Sequence, residues 1–196
     1  MLKNFIMKKL GIIEVTGQPA SGKSHYIKNL SNTDNKYNEI SIQIIARLRY
    51  FYRGIRRLGM KRCMKLLAWS LKESCPNYYK LSIFFNAVSK FGRPFSNDKM
   101  SNDSILLIDE GISHIPFLFL NSDTKEVVKF LDKELSLINI HFLKSPDASV
   151  IKKRIISRGH KRLDFLPVDS FIKRNHEIEK ILIDSYNILA LSLRVF

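Results

Sequence analysis

The residues best suited to chemistry stand together in one segment, Gly17-Gln18-Pro19-Ala20-Ser21-Gly22-Lys23-Ser24. Gly17 and Gly22 permit backbone conformations that other residues resist, so successive amide groups can point into one concavity and bind phosphate oxygens. Lys23 supplies a point charge for β- and γ-phosphates, and the Ser24 hydroxyl is of the kind that ligates magnesium. The pattern predicts a loop that cradles the phosphates of a nucleoside triphosphate.

The setting of this loop supports that interpretation. An apolar run from Leu10 to Val15 precedes it and is typical of a buried strand. A helical pattern from Lys23 to Leu30 follows, and the N-terminus of such a helix adds partial positive charge toward the same phosphates. We therefore expect all residues of the segment 17–24 to contact the nucleotide.

Two carboxylates follow the next clear apolar run, Ser104 to Ile108. The carboxyl ends of parallel strands meet where ligands of open α/β folds bind, so Asp109 is predicted to hold magnesium together with Ser24. Glu110 has two interpretations: it polarises water in an ATPase, or it contacts or deprotonates the hydroxyl of an acceptor in a kinase. His114 either reaches the same region or packs in the interior.

A third candidate segment, which is cationic, follows the predicted strand from Ile138 to Leu143. Arg154 and Arg158 lie four residues apart on one helical face, and Gly159 then ends that helix. Phosphoryl transfer needs cations around the transferred group, and a mobile segment can close over it and exclude water. We expect a lid over about 154–167 that includes Arg162; the alternative is a solvated basic helix end.

Strand and helix patterns alternate along the rest of the chain. The pattern is helical from about 43 to 90, and Phe91 to Asp103 is polar and predicted to be a loop. Residues 31–38 are turn formers, and a short strand over 39–42 is weakly indicated. Further helices are predicted over 123–132, 145–157 and 169–187, and the last eight residues either extend the final helix or form an edge strand. This order predicts one α/β domain over 1–196, with a parallel sheet covered on both faces and a helical insert at about 43–90.

Charge and composition limit the partners. The net charge is +15, and nine Lys or Arg residues with no Asp or Glu stand between Ile40 and Lys72. Such a block attracts phosphates, nucleic acid or an anionic membrane surface, or it forms a solvated basic helix face. Nucleic acid is the less favoured partner, because the aromatic residues at 50–52 have the spacing of core positions. The nine are Arg47, Arg49, Arg53, Arg56, Arg57, Lys61, Arg62, Lys65 and Lys72.

Neither cysteine spacing nor hydropathy indicates export. Cys63 and Cys75 have no metal-binding spacing and are expected to be reduced thiols. No stretch approaches the roughly 18 uninterrupted apolar residues of a membrane span. A cytoplasmic protein is expected.

The segments GQPASGKS, LLIDEG and SPDASVIKKRIISRGHKR together resemble the P-loop kinases of the nucleoside and nucleotide kinase group, thymidylate kinase-like proteins in particular. The resemblance implies a three-layer α/β/α fold with about five parallel strands and the phosphate-loop strand at the centre. It also implies ATP and Mg²⁺ as cofactors. By this resemblance Arg158 is a lid arginine that contacts phosphates, with Arg154 and Arg162 as further candidates.

The sequence departs from that group on the acceptor side. Asp109-Glu110-Gly111 stands where thymidylate kinases have Asp-Arg-aromatic and nucleoside kinases have Glu-Arg-Ser. Proteins with a similar DEG sequence occur among uncharacterised kinase-like proteins of bacterial surface-polysaccharide gene sets, a looser similarity. We therefore expect a kinase with Lys23, Asp109, Glu110 and Arg158 as catalytic residues, while its acceptor stays open among nucleosides, nucleotides and sugars. An ATPase or nucleotide-gated switch is the alternative, and the choice between ATP and GTP is open.

Overall fold

A parallel β-sheet carries the protein, in the strand order β2-β3-β1-β4-β5. The computed structural model describes residues 11–33, 37–39, 44–94, 105–188 and 193–195. Three strands form the centre of the sheet, and two three-residue strands flank them. The predicted parallel α/β arrangement is confirmed. The strands are β1 (Ile12–Thr16), β2 (Tyr37–Glu39), β3 (Ile105–Asp109), β4 (Asn139–Phe142) and β5 (Leu193–Val195).

Helices surround this sheet, and their order follows the predicted alternation. The helix after the phosphate-binding segment begins at Lys23, as expected, and the helix at 124–135 is capped by the Asp123 side chain, which accepts a hydrogen bond from the Lys125 amide. Two short 3₁₀ helices span Ile112–Leu118 and Lys161–Asp164. The α-helices are α1 (Lys23–Thr33), α2 (Ile44–Leu71), α3 (Asn77–Gly92), α4 (Thr124–Leu135), α5 (Ala148–Ser157) and α6 (Val168–Ile188).

Both faces of β1 are buried, which is why its sequence is a nearly continuous apolar run. Ile13 and Val15 pack in a small cluster with Ile27 of α1 on one face. Ile12 belongs to the larger core on the other face, to which helices α2 to α6 contribute. The segment that follows β1 is thus held between two packed layers.

The helical region predicted at 43–90 is a closely packed pair, α2 and α3. A Cβ on Gly54 would collide with the Val88 carbonyl, and one on Gly92 would collide with the Tyr50 carbonyl, so both glycines are needed for this approach. The helix α3 runs two residues beyond the predicted end. The prediction that a polar loop begins at Phe91 is therefore wrong, because Phe91 belongs to α3 and is fully buried in the core. Residues 95–103 of that loop lie outside the described residues.

The segment between α1 and β3 also differs from expectation. The predicted loop 31–38 is wrong at both ends, because α1 continues to Thr33 and β2 already begins at Tyr37, while residues 34–36 lie outside the described residues. Pairing with β3, in which Tyr37 lies beside Ile105, stabilises a strand whose other two residues, Asn38 and Glu39, have low β-propensity. Of the strand predicted over 39–42, residues 40–42 lie outside the described residues. In the tail, residues 193–195 form an edge strand.

The basic segment does not form one continuous free surface. Arg62 donates to both carboxylate oxygens of Glu134, at 2.6 and 2.8 Å, and to the Phe130 carbonyl, which joins α2 to α4. Lys65 pairs with Glu126 at 2.9 Å. An anionic partner for the remaining cations stays a prediction. In the described ranges no helix combines the length and apolar character needed to cross a bilayer.

Candidate functional site

The predicted phosphate-binding segment forms a tight loop between β1 and α1. Gly17 and Gly22 have φ of +146° and +107°, values that residues with side chains rarely adopt. A Cβ on Gly17 would also lie 2.5 Å from the Leu143 carbonyl oxygen, just past β4. Ala20 takes a left-handed conformation as well, with φ of +66°. Such positive φ values are typical of loops whose amides turn toward one concavity, as an anion-binding loop requires.

Side chains from α5 and α6 fix this loop in place. Gln18 donates through Nε2 to the buried Glu179 of α6 at 3.2 Å, and the Ser145 hydroxyl donates to the same carboxylate at 2.5 Å. Arg154 of α5 donates to the Ala20 carbonyl at 3.1 Å. Pro19 and Ala20 face a cavity, and Ser21 is buried with a hydroxyl that has no hydrogen-bond partner in the part of the chain described. The loop thus keeps its shape before any ligand binds.

Lys23 is held back against the loop rather than extended away from it. Its Nζ donates to the carbonyls of Gly17 and Gln18, at 3.2 and 2.9 Å, and pairs with a Glu110 carboxylate oxygen at 3.2 Å. The side chain is 5% exposed. Its position at the mouth of the loop is the one predicted for a phosphate-binding lysine.

Ser24 and Asp109 meet as the sequence predicted. The Ser24 hydroxyl donates to Asp109 Oδ2 at 3.3 Å, while Oδ1 is buried and has no hydrogen-bond partner among the described residues. Burial, with a smaller contribution from Glu110, raises the pKa of Asp109. The surrounding residues therefore compensate the negative charge of the Asp109 carboxylate only poorly. A hydroxyl beside an orphaned carboxylate oxygen fits Mg²⁺, which commonly takes one or two protein oxygens and completes its shell with phosphates and water.

Glu110 occupies a strained turn immediately after β3. Its φ of +53° is uncommon for a residue with a side chain, and such strain often marks functional sites. Two contacts hold the turn: the Glu110 amide donates to the Val15 carbonyl at 3.2 Å, and the Lys90 ammonium donates to the Glu110 carbonyl. The strained backbone directs the carboxylate of Glu110 toward Lys23.

Glu14 of β1 accepts hydrogen bonds from the residues that follow this turn, and the sequence did not predict this role. It is fully buried in β1, and its carboxylate accepts hydrogen bonds from the amides of Ile112 at 2.9 Å and Ser113 at 2.8 Å. A Cβ on Gly111 would overlap that carboxylate, which explains the glycine after Glu110. Burial raises the pKa of Glu14 in spite of the two amides. The available signal was one acidic residue in an otherwise apolar strand, IIEVT.

Charge around Glu110 favours its ionised form. Burial opposes ionisation, but His114, Lys23 and Lys90 outweigh it and hold the pKa of Glu110 well below its usual range. Burial lowers the pKa of His114 well below its usual range, against the attraction of the Glu110 carboxylate. His114 Nε2 lies 3.6 Å from Glu110, and its ring packs on Phe117. His114 therefore both packs and faces the site.

A cavity of about 300 Å³ opens beside the loop and Glu110. Pro19 and Ala20 of the loop form one wall, and α3 forms another. The exposed Arg158, whose guanidinium has no hydrogen bond or ion pair among the described residues, lines it from the end of α5. We call it the lid cavity. Its other lining residues are Tyr79, Ser82, Ile83, Asn86, Glu110, His114, Phe117, Leu118, Ile155, His160, Arg162 and Phe171.

The predicted lid segment is only partly free. Gly159 has φ of +61° and ends the basic helix as expected. Arg162, however, is 8% exposed, donates to the Leu118 carbonyl and lies 3.9 Å from Glu73. Arg162 still lines the cavity, but Arg154 and Arg158 are the exposed arginines of the segment.

Lys90 and Arg93, at the end of α3, were also missed. Both reach the turn after β3: Lys90 bonds the Glu110 carbonyl, and Arg93 lies 3.4 Å from the Asp109 carbonyl oxygen. Burial, helped by the neighbouring Arg93, lowers the pKa of Lys90 to about 7. In the sequence Lys90 ended the predicted helical region and Arg93 fell in the predicted polar loop, and only the tertiary position of α3 shows that they lie beside the site.

The strand–loop–helix unit, the Ser24–Asp109 pair and the parallel sheet define an α/β protein whose fold is similar to that of P-loop kinases. Compared with solved structures, the chain is similar to a deoxyadenosine kinase from M. mycoides with bound dATP, with a TM-score of 0.50 and 13% sequence identity. The alignment covers 94% of this chain and 90% of that chain. No protein-family model and no curated protein sequence matches the chain. At this identity the similarity establishes the fold alone.

Proposed function

We propose that this protein is an ATP-binding, Mg²⁺-dependent phosphotransferase that moves the γ-phosphate of ATP to a small acceptor in the lid cavity. The observation that carries the proposal is that Glu110 both pairs with Lys23 of the phosphate-binding loop and lines a cavity of about 300 Å³. Such a cavity offers an acceptor a place beside the expected position of the γ-phosphate. The similarity in fold to a nucleoside kinase agrees with this function.

Each predicted residue has a role in this proposal. The backbone of residues 17–22 and the ammonium of Lys23 bind the phosphates, for which Lys23 exchanges its contacts with the Gly17 and Gln18 carbonyls. Arg158 neutralises charge on the transferred group, assisted by Arg154 and Arg162. Mg²⁺, held by Ser24 and Asp109, supplies further neutralisation of the phosphate oxygens when bound.

The transfer itself forms one bond and breaks another. An acceptor oxygen bonds to the γ-phosphorus of ATP, the bond from that phosphorus to the β,γ-bridging oxygen breaks, and ADP leaves with the electron pair. The hydroxyl proton passes to Glu110 and then to water. Because the pKa of Glu110 lies below its usual range, Glu110 mainly orients the hydroxyl and holds the proton only briefly.

The test is ADP release from Mg-ATP across a panel of nucleosides, nucleotides, sugars and sugar phosphates. One acceptor class is expected to raise ADP release at least about tenfold above the acceptor-free rate. Lys23→Met should abolish the increase, whereas Lys28→Met, which removes an exposed lysine from the same helix, should not. Equal turnover with and without every acceptor would refute the proposal and favour an ATPase in which Glu110 activates water.

A further inference from the structure

Glu110 also lines a second cavity. It has a volume of about 340 Å³, and we call it the cationic cavity because three of its lining residues are cations. One cation comes from the start of α2 and two from the end of α3. The lining residues are Arg47, Ser82, Phe85, Asn86, Ser89, Lys90, Arg93, Asp109 and Glu110.

The two cations from α3 are buried. Lys90 is 1% exposed and Arg93 is 8% exposed, and their hydrogen bonds at this turn go to the backbone carbonyls of Asp109 and Glu110. Among the described residues no carboxylate lies within ion-pairing distance of Lys90 or Arg47. The lining therefore carries three basic side chains against the carboxylates of Asp109 and Glu110, and the Glu110 carboxylate is already paired with Lys23.

A buried hydroxyl completes the lining. Ser89 is 3% exposed, and its Oγ has no hydrogen-bond partner within the described ranges. A buried polar atom without a partner costs stability unless a ligand or water satisfies it. Guanidinium, ammonium and hydroxyl groups around one space are the donors that bind a phosphate dianion.

The cationic cavity and the lid cavity share three lining residues. Ser82 and Asn86 of α3 line both, and so does Glu110. An acceptor whose hydroxyl lies at Glu110 therefore has a second, positively charged space within reach of the same molecule. The phosphate-binding loop is not part of this second space.

We propose that the acceptor carries a phosphate group of its own, which binds in the cationic cavity against Arg47, Lys90 and Arg93. The protein is then a kinase of phosphorylated small molecules rather than of neutral ones. This inference rests on the phosphotransferase function proposed above.

Matched acceptor pairs test the inference in turnover. Each scaffold is supplied with and without its phosphate: a nucleoside and its monophosphate, a sugar and its sugar phosphate. Only phosphorylated members should stimulate ADP release, and Arg47→Gln should raise their KM at least about tenfold, or about 1.4 kcal/mol, with the KM for ATP unchanged. Arg49→Gln is the control, because Arg49 is exposed on the same helix and does not line the cavity.

Binding of inorganic phosphate tests the cavity without turnover. The Lys23→Met protein is used, so that the loop contributes little, and ³¹P line broadening is followed during titration. Binding should weaken at least about fivefold in Lys23→Met/Arg47→Gln and stay unchanged in Lys23→Met/Arg49→Gln. Equal phosphate binding in the two double variants would overturn the assignment of the cavity.

The outcomes separate the two proposals. Efficient use of neutral acceptors, unaffected by Arg47→Gln, would overturn the phosphorylated acceptor and leave the kinase function standing. No stimulation by any acceptor, together with phosphate binding that depends on Arg47, would overturn the kinase function and with it the acceptor, while the anion site in the cavity would be confirmed.

Discussion

Replacing Glu110 with Gln should tighten nucleotide binding while it slows transfer. In the structure the Glu110 carboxylate lies 3.2 Å from the Lys23 ammonium and so competes with the phosphates for this lysine. It also places a negative charge where the γ-phosphate of ATP is expected. The substitution removes both effects and keeps nearly the same side-chain shape.

The size of the effect follows from the geometry. At 3.2 Å the attraction between two unit charges is about 1.3 kcal/mol in water and about 5 kcal/mol at an effective dielectric constant of about 20. The Glu110 side chain is 40% exposed, so solvent screening favours the lower part of this range, and the Gln amide oxygen still accepts a hydrogen bond from Lys23. We expect a net gain of about 1 kcal/mol, or about fivefold in Kd.

Calorimetric titration with Mg²⁺ and a non-hydrolysable ATP analogue measures the binding, and acceptor-stimulated ADP release measures the transfer. The Kd should fall about fivefold and kcat about a hundredfold or more. Glu126→Gln is the control, since it removes a carboxylate from an ion pair of similar length with Lys65. Weaker nucleotide binding by Glu110→Gln would refute the reasoning, because Glu110 would then support the bound phosphates instead of opposing them.

Three further predictions concern the supports of the site. Gly111→Ala should lower the free energy of unfolding by about 3 kcal/mol in urea titrations, because its Cβ overlaps the Glu14 carboxylate; a loss below about 1 kcal/mol would show that the turn can shift. Lys90 should make the free energy of unfolding rise between about pH 7 and about pH 10, by at most about 1.4 kcal/mol per pH unit. In this pH window Lys90 of the unfolded chain, with a pKa near 10.5, binds a proton that Lys90 of the folded protein, with its pKa lowered to about 7, does not bind. Lys90→Met should remove this contribution to the pH dependence of the free energy of unfolding. The same pH dependence in Lys90→Met and the unmodified protein would contradict the assignment. Arg158→Ala should lower kcat about a hundredfold with little change in the KM for ATP. Lys153→Ala, which removes an exposed lysine of α5, should leave both constants unchanged. An equal loss of kcat in the two variants would show that net charge, and not a lid contact, is responsible.

The parts of the site that could be predicted are those whose function depends on local sequence. The loop 17–24 needs glycines at fixed spacing, and a strand must precede it and a helix follow it, so its residues predict its shape. Asp109 was predictable because it ends an apolar run, and the end of a strand has a known place in a parallel sheet. Both predictions needed only residues adjacent in the chain.

The parts that could not be predicted depend on which elements pack together. Lys90 and Arg93 reach the turn after β3 only because α3 packs across the sheet, and their spacing to Asp109 in the sequence carries no such information. Arg162 has the same charge as Arg158 but is buried against Leu118 and Glu73, a difference that the local pattern RGHKR does not contain. Tertiary contacts, and not residue types, determine which basic residues of this protein are buried in structural contacts and which are exposed.

The sequence DEG, which left the acceptor open, has a structural explanation in the surrounding residues. In the kinases that the chain resembles, an arginine follows the acidic residue, whereas here Glu110 follows Asp109 and is directed toward Lys23. The turn nevertheless keeps positive charge, because Lys90 and Arg93 reach its carbonyls from α3. The positive charge therefore lies behind the turn, in the cationic cavity. If the acceptor binds with its hydroxyl at Glu110, any anionic group that it places in the cationic cavity meets this charge in a space that the phosphate-binding loop does not line, and the two sets of phosphates are kept apart.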